Sequence, residues 1–398
     1  MAESAKTPMP AGYWTIWTTV ALDLVGFGIV APILGRYAER FGASGVEVGL
    51  LFASFSVAQI VFAPVLGRIS DRVGRKPVIV VSLVGTAVGS FITGAAGALW
   101  VLFLGRLIDG ASGASVAVAQ GAVADIAPPE QRAKLLGMLG AAFGVGFVLG
   151  PALGGLAALG GPHVPFYVAG TVAAVNAIAA IIRLPETKQK DPSPAASTSD
   201  VSAALSVRSP VLVRFAVASF IATLGFAGFE ATFSLFGERR FSLTEGSTAL
   251  VFLGVGLALV AVQGGLIGPL TAKIGSMRLL RVGLVFVSAG LVLLAFTTVW
   301  ATLVVSMLLL AFGQGVATPS ITALVTEVAP PERRGEALGY QQSAGAFGRV
   351  AGPILAGALF DHVGVGSPYV VGGVLFVIAL AVVPTVRVPD HRTVAEHA

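Results

Sequence analysis

The sequence predicts an all-α membrane protein: twelve transmembrane helices arranged as two pseudo-symmetric six-helix bundles. The first observation behind this is composition. Of 398 residues, 55% are hydrophobic and only 11% charged, and a mean hydropathy of +0.89 means more apolar surface than a soluble domain can hide. Lipid is the expected solvent, and helices follow because lipid offers the backbone no hydrogen-bonding partner. The second observation is spacing. Apolar windows of the roughly 20 residues needed to span a bilayer fall near 14–34, 46–66, 78–96, 98–122, 135–158 and 164–183, then near 211–236, 247–270, 279–297, 301–324, 337–360 and 367–386. The third is a duplication. VADIAPPEQRAKLLGMLGAAFGVGFVLGPALGG and VTEVAPPERRGEALGYQQSAGAFGRVAGPILAG align at one constant offset. Pro128, Pro129, Glu130, Arg132, Gly137, Gly150, Pro151 and Gly155 thereby recur as Pro330, Pro331, Glu332, Arg334, Gly339, Gly352, Pro353 and Gly357.

The first span carries Asp23 midway, in ALDLVGFGIVAP. It follows a short polar start and shows no small-residue cleavage site, so it reads as a retained helix and not a signal peptide. The second span runs into GRISDRVGRKP, where Gly67 and Gly74 permit a tight reversal and Asp71 is the one acid among Arg68, Arg72, Arg75 and Lys76. The third, PVIVVSLVGTAVGSFITG, holds no charge. The fourth holds Arg106 and Asp109 at i,i+3, close enough to pair. In the fifth, Gly146, Gly150 and Gly154 share one face beside Pro151, with Gly155 next to it. Small residues let helix backbones approach where van der Waals packing replaces the hydrophobic drive.

After the sixth span, LPETKQKDPSPAASTSDVSAALSVRSP is polar and rich in Pro, Ser and Ala, a flexible cytoplasmic linker. The expected organisation is an N-terminal bundle over 1–183, the linker over 184–210 and a C-terminal bundle over 211–398. The seventh span contains Glu230 in GFAGFEATFSLF. The eighth leads into GPLTAKIGSMR, the second-half counterpart of the cationic loop, with Ala272 where Asp71 stands. The ninth offers only Arg281 near its start, the tenth and twelfth are apolar, and the eleventh carries Arg349 where the aligned copy has Phe147.

Charge sets orientation. Of 25 Lys and Arg, only Arg36, Arg40, Arg239 and Arg240 fall in outer loops if both termini are cytoplasmic, and Arg106 and Arg349 lie inside spans. The rest sit on the cytoplasmic side, as the positive-inside tendency requires. That explains the pI near 9.7 without nucleic acid as a partner. The chain has no cysteine, so disulfides, thiolate metal sites and Cys nucleophiles are excluded. His163, His362, His391 and His397 lie at loops or in the tail without ligand spacing, so no metal or other cofactor is expected. GVGFVLG contains a GxG, but no strand precedes it and no Walker lysine motif is present. Without a histidine or paired-carboxylate constellation, an enzyme is not expected.

An ionisable residue at a helix centre costs about 2.5–3.5 kcal/mol on insertion scales, so each is a functional candidate. Here they are Asp23, Arg106, Asp109, Glu230 and Arg349. Low dielectric favours the neutral form of a carboxyl, which would let Asp23 or Glu230 carry a proton. Two readings stay open for each: a coupling site, or a structural acid paired with Arg or backbone. For Arg106 and Asp109 the alternatives are an internal ion pair or a relay in which protonating Asp109 frees Arg106. Gln59, Gln120, Asn176, Gln263, Gln314, Gln341 and Gln342 punctuate apolar helices, and with Phe27, Phe229, Phe233 and Tyr340 they could line a cavity for an amphipathic guest.

GRISDRVGRKP resembles the signature loop of the major facilitator superfamily, so Gly67, Asp71, Arg72, Gly74 and Arg75 take the role of its conformational switch. LFLGRLIDGASGAS is similar to that family's second motif, with Arg106 in the basic position and Asp109 where glutamine is more usual. GVGFVLGPALGG resembles the motif of its drug:proton antiporters, and Asp23 their first-helix acid. The resemblance covers the whole chain and implies the major facilitator fold, in which parallel repeats build a secondary transporter. It implies that Asp71 caps the eleventh helix in the outward-facing state, a charge–helix contact of about 0.3–1 kcal/mol. It also implies a monomer in the inner (plasma) membrane whose partners are small molecules, protons and the bilayer. The expected function is proton-coupled export of amphipathic or lipophilic compounds, with proton symport or uniport of a metabolite as the alternative. The likeness extends to tetracycline efflux pumps, but the acids those pumps carry in the third and ninth helices are missing here.

Overall fold

The computed structural model of the protein describes residues 9–187, 209–329 and 334–383, apart from some side chains within 129–147 and 334–336. The described residues form helices joined by short turns. In chain order these are α1 (Tyr13–Glu39), α2 (Gly45–Val73), α3 (Arg75–Gly94), α4 (Leu99–Ile126), α5 (Pro129–Ala158) and α6 (Val164–Arg183). The second half supplies α7 (Pro210–Phe241), α8 (Glu245–Ile274), α9 (Ser276–Phe296), α10 (Trp300–Val328), α11 (Arg334–His362) and α12 (Ser367–Val382). Ten helices among the described residues are long and apolar enough to cross a membrane. The other two expected spans are shorter. Apolar Gly144–Ala158 follows the polar opening of α5, and Ser367–Val382 reaches the edge of the described chain. Of the duplicated residues, Pro330, Pro331 and Glu332, the counterparts of Pro128, Pro129 and Glu130, lie outside the described residues.

Helix boundaries follow local chemistry. Ser44 and Glu47 cap α2 reciprocally: the Ser44 amide donates to Glu47 Oε2 at 2.8 Å, and the Glu47 amide to Ser44 Oγ at 3.3 Å. Thr244 and Ser247 do the same for α8, at 2.7 and 3.2 Å. Arg36, Arg239 and Arg240 are not loop residues, as the sequence suggested, because α1 and α7 run on past them. At a helix C-terminus their charge meets the unpaired carbonyls favourably.

Two compact units are present. One comprises Met1–Gly42, Ser54–Ser199 and Thr244–Leu253, the other Ala43–Ala53, Asp200–Leu243 and Gly254–Ala398. In the first, α1 packs on α5 and α6, and α3 on α4 and α6. In the second, α7 packs on α11 and α12, and α9 on α10 and α12, so the duplication extends to helix pairing. The first core clusters Tyr13, Ile16, Val20, Leu83, Val118 and Leu139, with Tyr13 Oη donating to Leu135 O at 2.9 Å. Large apolar side chains also face outward, such as Ile182, 74% exposed, and Phe296, 70% exposed. Singly these would be ordinary, but spread along helix after helix they form the surface lipid covers.

Candidate functional site

The antiporter-like stripe of α5 lies directly on α1. A Cβ at Gly146 would strike the Leu24 backbone, one at Gly150 would strike Gly28 and Ile29, and one at Gly154 would strike Ile29. Pro151 is buried beside them, while Gly155 faces Ala249 of α8. The close approach fixes α1 at the residue next to Asp23. Asp23 is half-buried there, and its Oδ2 accepts a hydrogen bond from Ser115 Oγ of α4.

Arg106 belongs to the same unit. Its Nη1 donates to Asp109 Oδ2 at 2.7 Å, and its guanidinium lies over the Phe55 ring, 4.3 Å from the centroid. Arg106 is only 3% exposed, and its Nε finds no hydrogen-bond partner among the described residues. The Thr86 side chain of α3 favours the charged form of Asp109, and the charge of Asp109 acts on Asp23. Asp23, Ser115, Thr86, Asp109 and Arg106 therefore form one electrostatic cluster on α1, α3 and α4. A buried guanidinium is tolerable only with its counter-charge beside it.

The second unit repeats the seam with different charges. Gly348 and Gly352 of α11 meet the α7 backbone at Phe220 and Leu224, and Gly228 meets Gly352 and Ala356. Glu230 of α7 is half-buried, and the charge of Arg349 is the one that acts on it. Among the described residues no hydrogen bond or ion pair joins them, and Arg349 is exposed.

In the loop between α2 and α3, Gly74 has φ +112, a conformation that glycine adopts without penalty. Its missing side chain leaves room for the Glu186 carboxylate, which accepts from the backbone amides of Arg75 at 2.8 Å and Lys76 at 3.3 Å. Glu186 is thus the cap of α3. Arg75 Nε donates to Asp125 at 2.9 Å, and its Nη1 donates to Asp71 at 2.5 Å and Ser70 Oγ at 2.7 Å. Gly67 supplies the carbonyl to which Ser70 Oγ donates, and Arg72 closes the last turn of α2. The contact expected between Asp71 and the eleventh helix falls on a helix start bordered by residues outside the described chain. Within its own loop, Asp71 engages Arg75 four residues on.

The expected cavity-lining residues divide. Phe27 packs on Phe55 at 6.0 Å between ring centroids, and Gln59 Nε2 donates to Gly113 O at 2.9 Å, both beside the Asp23 cluster. Gln120 is exposed on α4. Phe229 and Phe233 do not line open space: they are 3% and 0% exposed, tilted against one another, with Phe229 edge-on to Tyr369 and Phe233 joined to it through Phe236. Aromatic side chains spaced along one face of α7 interlock with α12, so packing claims them. Asn176 is likewise buried, donating to Thr19 O at 2.8 Å. Gln263 lies in a π-helical turn, Val262–Leu266, of a kind frequent at functional sites. Gln314 on α10 and Tyr340 and Gln341 on α11 are half-buried, with no hydrogen bond among them in the described residues.

Sequence reading missed Ser115, Thr86, Asp125 and Glu186. Serine and threonine are common in such helices, and their partners lie far along the chain; only the break in α4 at GASGAS could have pointed to Ser115.

Duplicated bundles of apolar helices with charged side chains inside the spans define a multi-pass membrane protein of the secondary-transporter build. A family profile described as Major Facilitator Superfamily matches residues 16–287 and 264–398, and the chain belongs to that superfamily. It is 32% identical to the tetracycline resistance protein, class G, of Vibrio anguillarum over 91% of this chain and 94% of that protein. It is 28% identical to multidrug resistance protein 1 of Bacillus subtilis (strain 168) over 94% of this chain and 96% of that protein. The crystal structure of the nucleoside transporter NupG, as its D323A mutant, superposes with a TM-score of 0.77 at 15% identity, covering 93% of this chain and 98% of that one.

Proposed function

We propose that the chain is a proton-coupled exporter of small amphipathic or lipophilic compounds, multi-pass in the plasma membrane with both termini cytoplasmic, working by alternating access. It is a transporter, not an enzyme, by its superfamily. Relatives named for tetracycline and multidrug resistance, aligned over nine-tenths of the chain, support export of drug-like solutes. The observation that carries proton coupling is Asp23, an acid inside a span, seated beside the Gly146–Gly150–Gly154 seam and bonded to Ser115. A proton entering from outside neutralises Asp23, removes its repulsion with Asp109 and its claim on Ser115, and lets α1 and α4 rearrange as the guest leaves. Arg106 and Asp109 serve as the internal counter-charge pair, and Glu230 with Arg349 as a second ionisable site. The domains act as bundles 1–183 and 211–398 joined by the 184–210 linker.

Proteoliposomes with an imposed pH difference test this. Wild-type protein should acidify or alkalinise the lumen in step with movement of a cationic dye, and growth of an efflux-deficient bacterium expressing it should resist that dye until an uncoupler is added. Dye movement indifferent to the pH difference, or inward movement coupled to proton entry, would refute export by proton exchange.

A further inference from the structure

Helix α4 is interrupted between its two functional ends. Gly113, at φ −71 and ψ 34, leaves the helical basin, the Ala114 amide bonds back to Ser112 O at 2.8 Å, and the helix resumes at Ser115. Two side chains meet this break. Gln59 Nε2 of α2 takes the Gly113 carbonyl at 2.9 Å, and Ser115 Oγ, in the first turn after the break, donates to Asp23 Oδ2 of α1. Arg106 and Asp109 lie on the other side, one to two turns earlier. Ser115 is itself buried, 4% exposed, so the bond is sheltered from competing solvent.

We propose that Ser115 is the positioning residue of Asp23, holding its carboxylate in the anionic form and tying the Ser115–Ile126 half of α4 to α1 only while that charge is present. This rests on the coupling role given to Asp23 above. A hydroxyl donor favours the charged form of its carboxylate partner. When the carboxylate takes up a proton it becomes a neutral acid with a donor of its own. Ser115 keeps its hydrogen and can turn it to the carbonyls of the preceding turn, as serine hydroxyls in helices do. The tie between α4 and α1 then loosens while Ser115 keeps a hydrogen-bond partner on its own helix. Among the described residues, the charged groups that act on Asp23 lie on α4: Asp109, which repels it, and Arg106, which holds Asp109. Among the described residues, α5 presents Gly146 and Gly150 to this part of α1, α6 presents Asn176, and α2 presents Phe55 to Phe27, all uncharged.

The test uses the full-length protein in lipid nanodiscs. The protonated-carboxyl infrared band that disappears in Asp23→Asn reports Asp23, and its titration midpoint is read with and without the hydroxyl. In Ser115→Ala the midpoint should rise by about one pH unit, tenfold in proton affinity, because the anion has lost a donor. Ser115→Thr, which keeps the hydroxyl, should restore the wild-type midpoint. The pH profile of ethidium transport in proteoliposomes should move with the band. Should Ser115→Ala fold poorly, near-isosteric Ser115→Cys, a weak donor, should also raise the midpoint. An unchanged midpoint in both Ala and Cys variants, with Asp23→Asn still abolishing coupling, overturns the role of Ser115 and leaves the coupling reading standing. An Asp23→Asn variant that loses no band and keeps pH-driven transport overturns both.

Discussion

The α1–α5 seam and the α7–α11 seam are two castings of one backbone with their charges set in different places. Gly28 lies against Gly146 and Gly150, and Leu224 lies against the duplicate pair, Gly348 and Gly352. Counting back equally from these contacts, the position of Asp23 in the first seam belongs to Ser219 in the second. Glu230 falls beyond the contact on α7, roughly 9 Å past Leu224 at about 1.5 Å per residue. The first acid is embedded in hydrogen bonds and stands near a locked Arg106–Asp109 pair; the second faces an exposed Arg349 with no direct bond. Duplication therefore supplied the packing frame, and divergence supplied the chemistry. A seam tolerates only small residues, but any position beside it can be given a charge.

The largest expected contrast is in transport. Asp23→Asn should abolish proton-driven dye export in proteoliposomes, whereas Glu230→Gln should slow it without uncoupling it. Full activity in both variants would remove both acids from the mechanism and leave the two seams equivalent.

Stability comes next. Arg106→Ala strands a buried Asp109 and should cost about 3–5 kcal/mol, the penalty for breaking a buried pair. Arg349→Ala, which removes an exposed side chain with no direct partner, should cost under about 1 kcal/mol. Thermal melts of the two variants in detergent measure the difference, and equal drops would mean that Glu230 is as dependent on its cation as Asp109.

Gly150→Ala and Gly352→Ala probe what the seams share. Each new methyl would strike backbone, Gly28 in one case and Leu224 in the other, so neither neighbour can swing aside. Both should lose about 1–3 kcal/mol, and by similar amounts. A melt that falls for only one would break the equivalence of the frames.

The smallest effect belongs to the loops. Glu186→Ala removes the cap of α3 and should cost about 1 kcal/mol by chemical denaturation. Asp71→Asn, altering a half-exposed i,i+4 pair, should cost less than that. Reversal of that order would make Asp71, not Glu186, the anchor of the loop.

Much of this was legible in the amino-acid order. Helix positions followed from apolar run length, because the bilayer sets a minimum span and forbids unpaired backbone. Gly146, Gly150 and Gly154 at four-residue spacing marked the first seam, because a helix brings such positions onto one face; the contact of Gly348 in the second came from the structure. Asp23, Arg106, Asp109, Glu230 and Arg349 stood out because charge in an apolar run is costly. The pairing of Arg106 with Asp109 was readable too, since i,i+3 neighbours meet on any helix.

What the order of residues could not say is which distant side chains complete these sites. Ser115 reaching Asp23, Asp125 reaching Arg75 and Glu186 reaching the amides of Arg75 and Lys76 join segments far apart in the chain, by hydrogen bonds that no local pattern encodes. Phe229 and Phe233 went to the core of the second unit because the neighbouring α12 offers Tyr369 to interlock with them, a fact of helix packing and not of α7 itself. Local sequence decides which way a side chain points on its own helix; only tertiary packing decides what stands there to meet it.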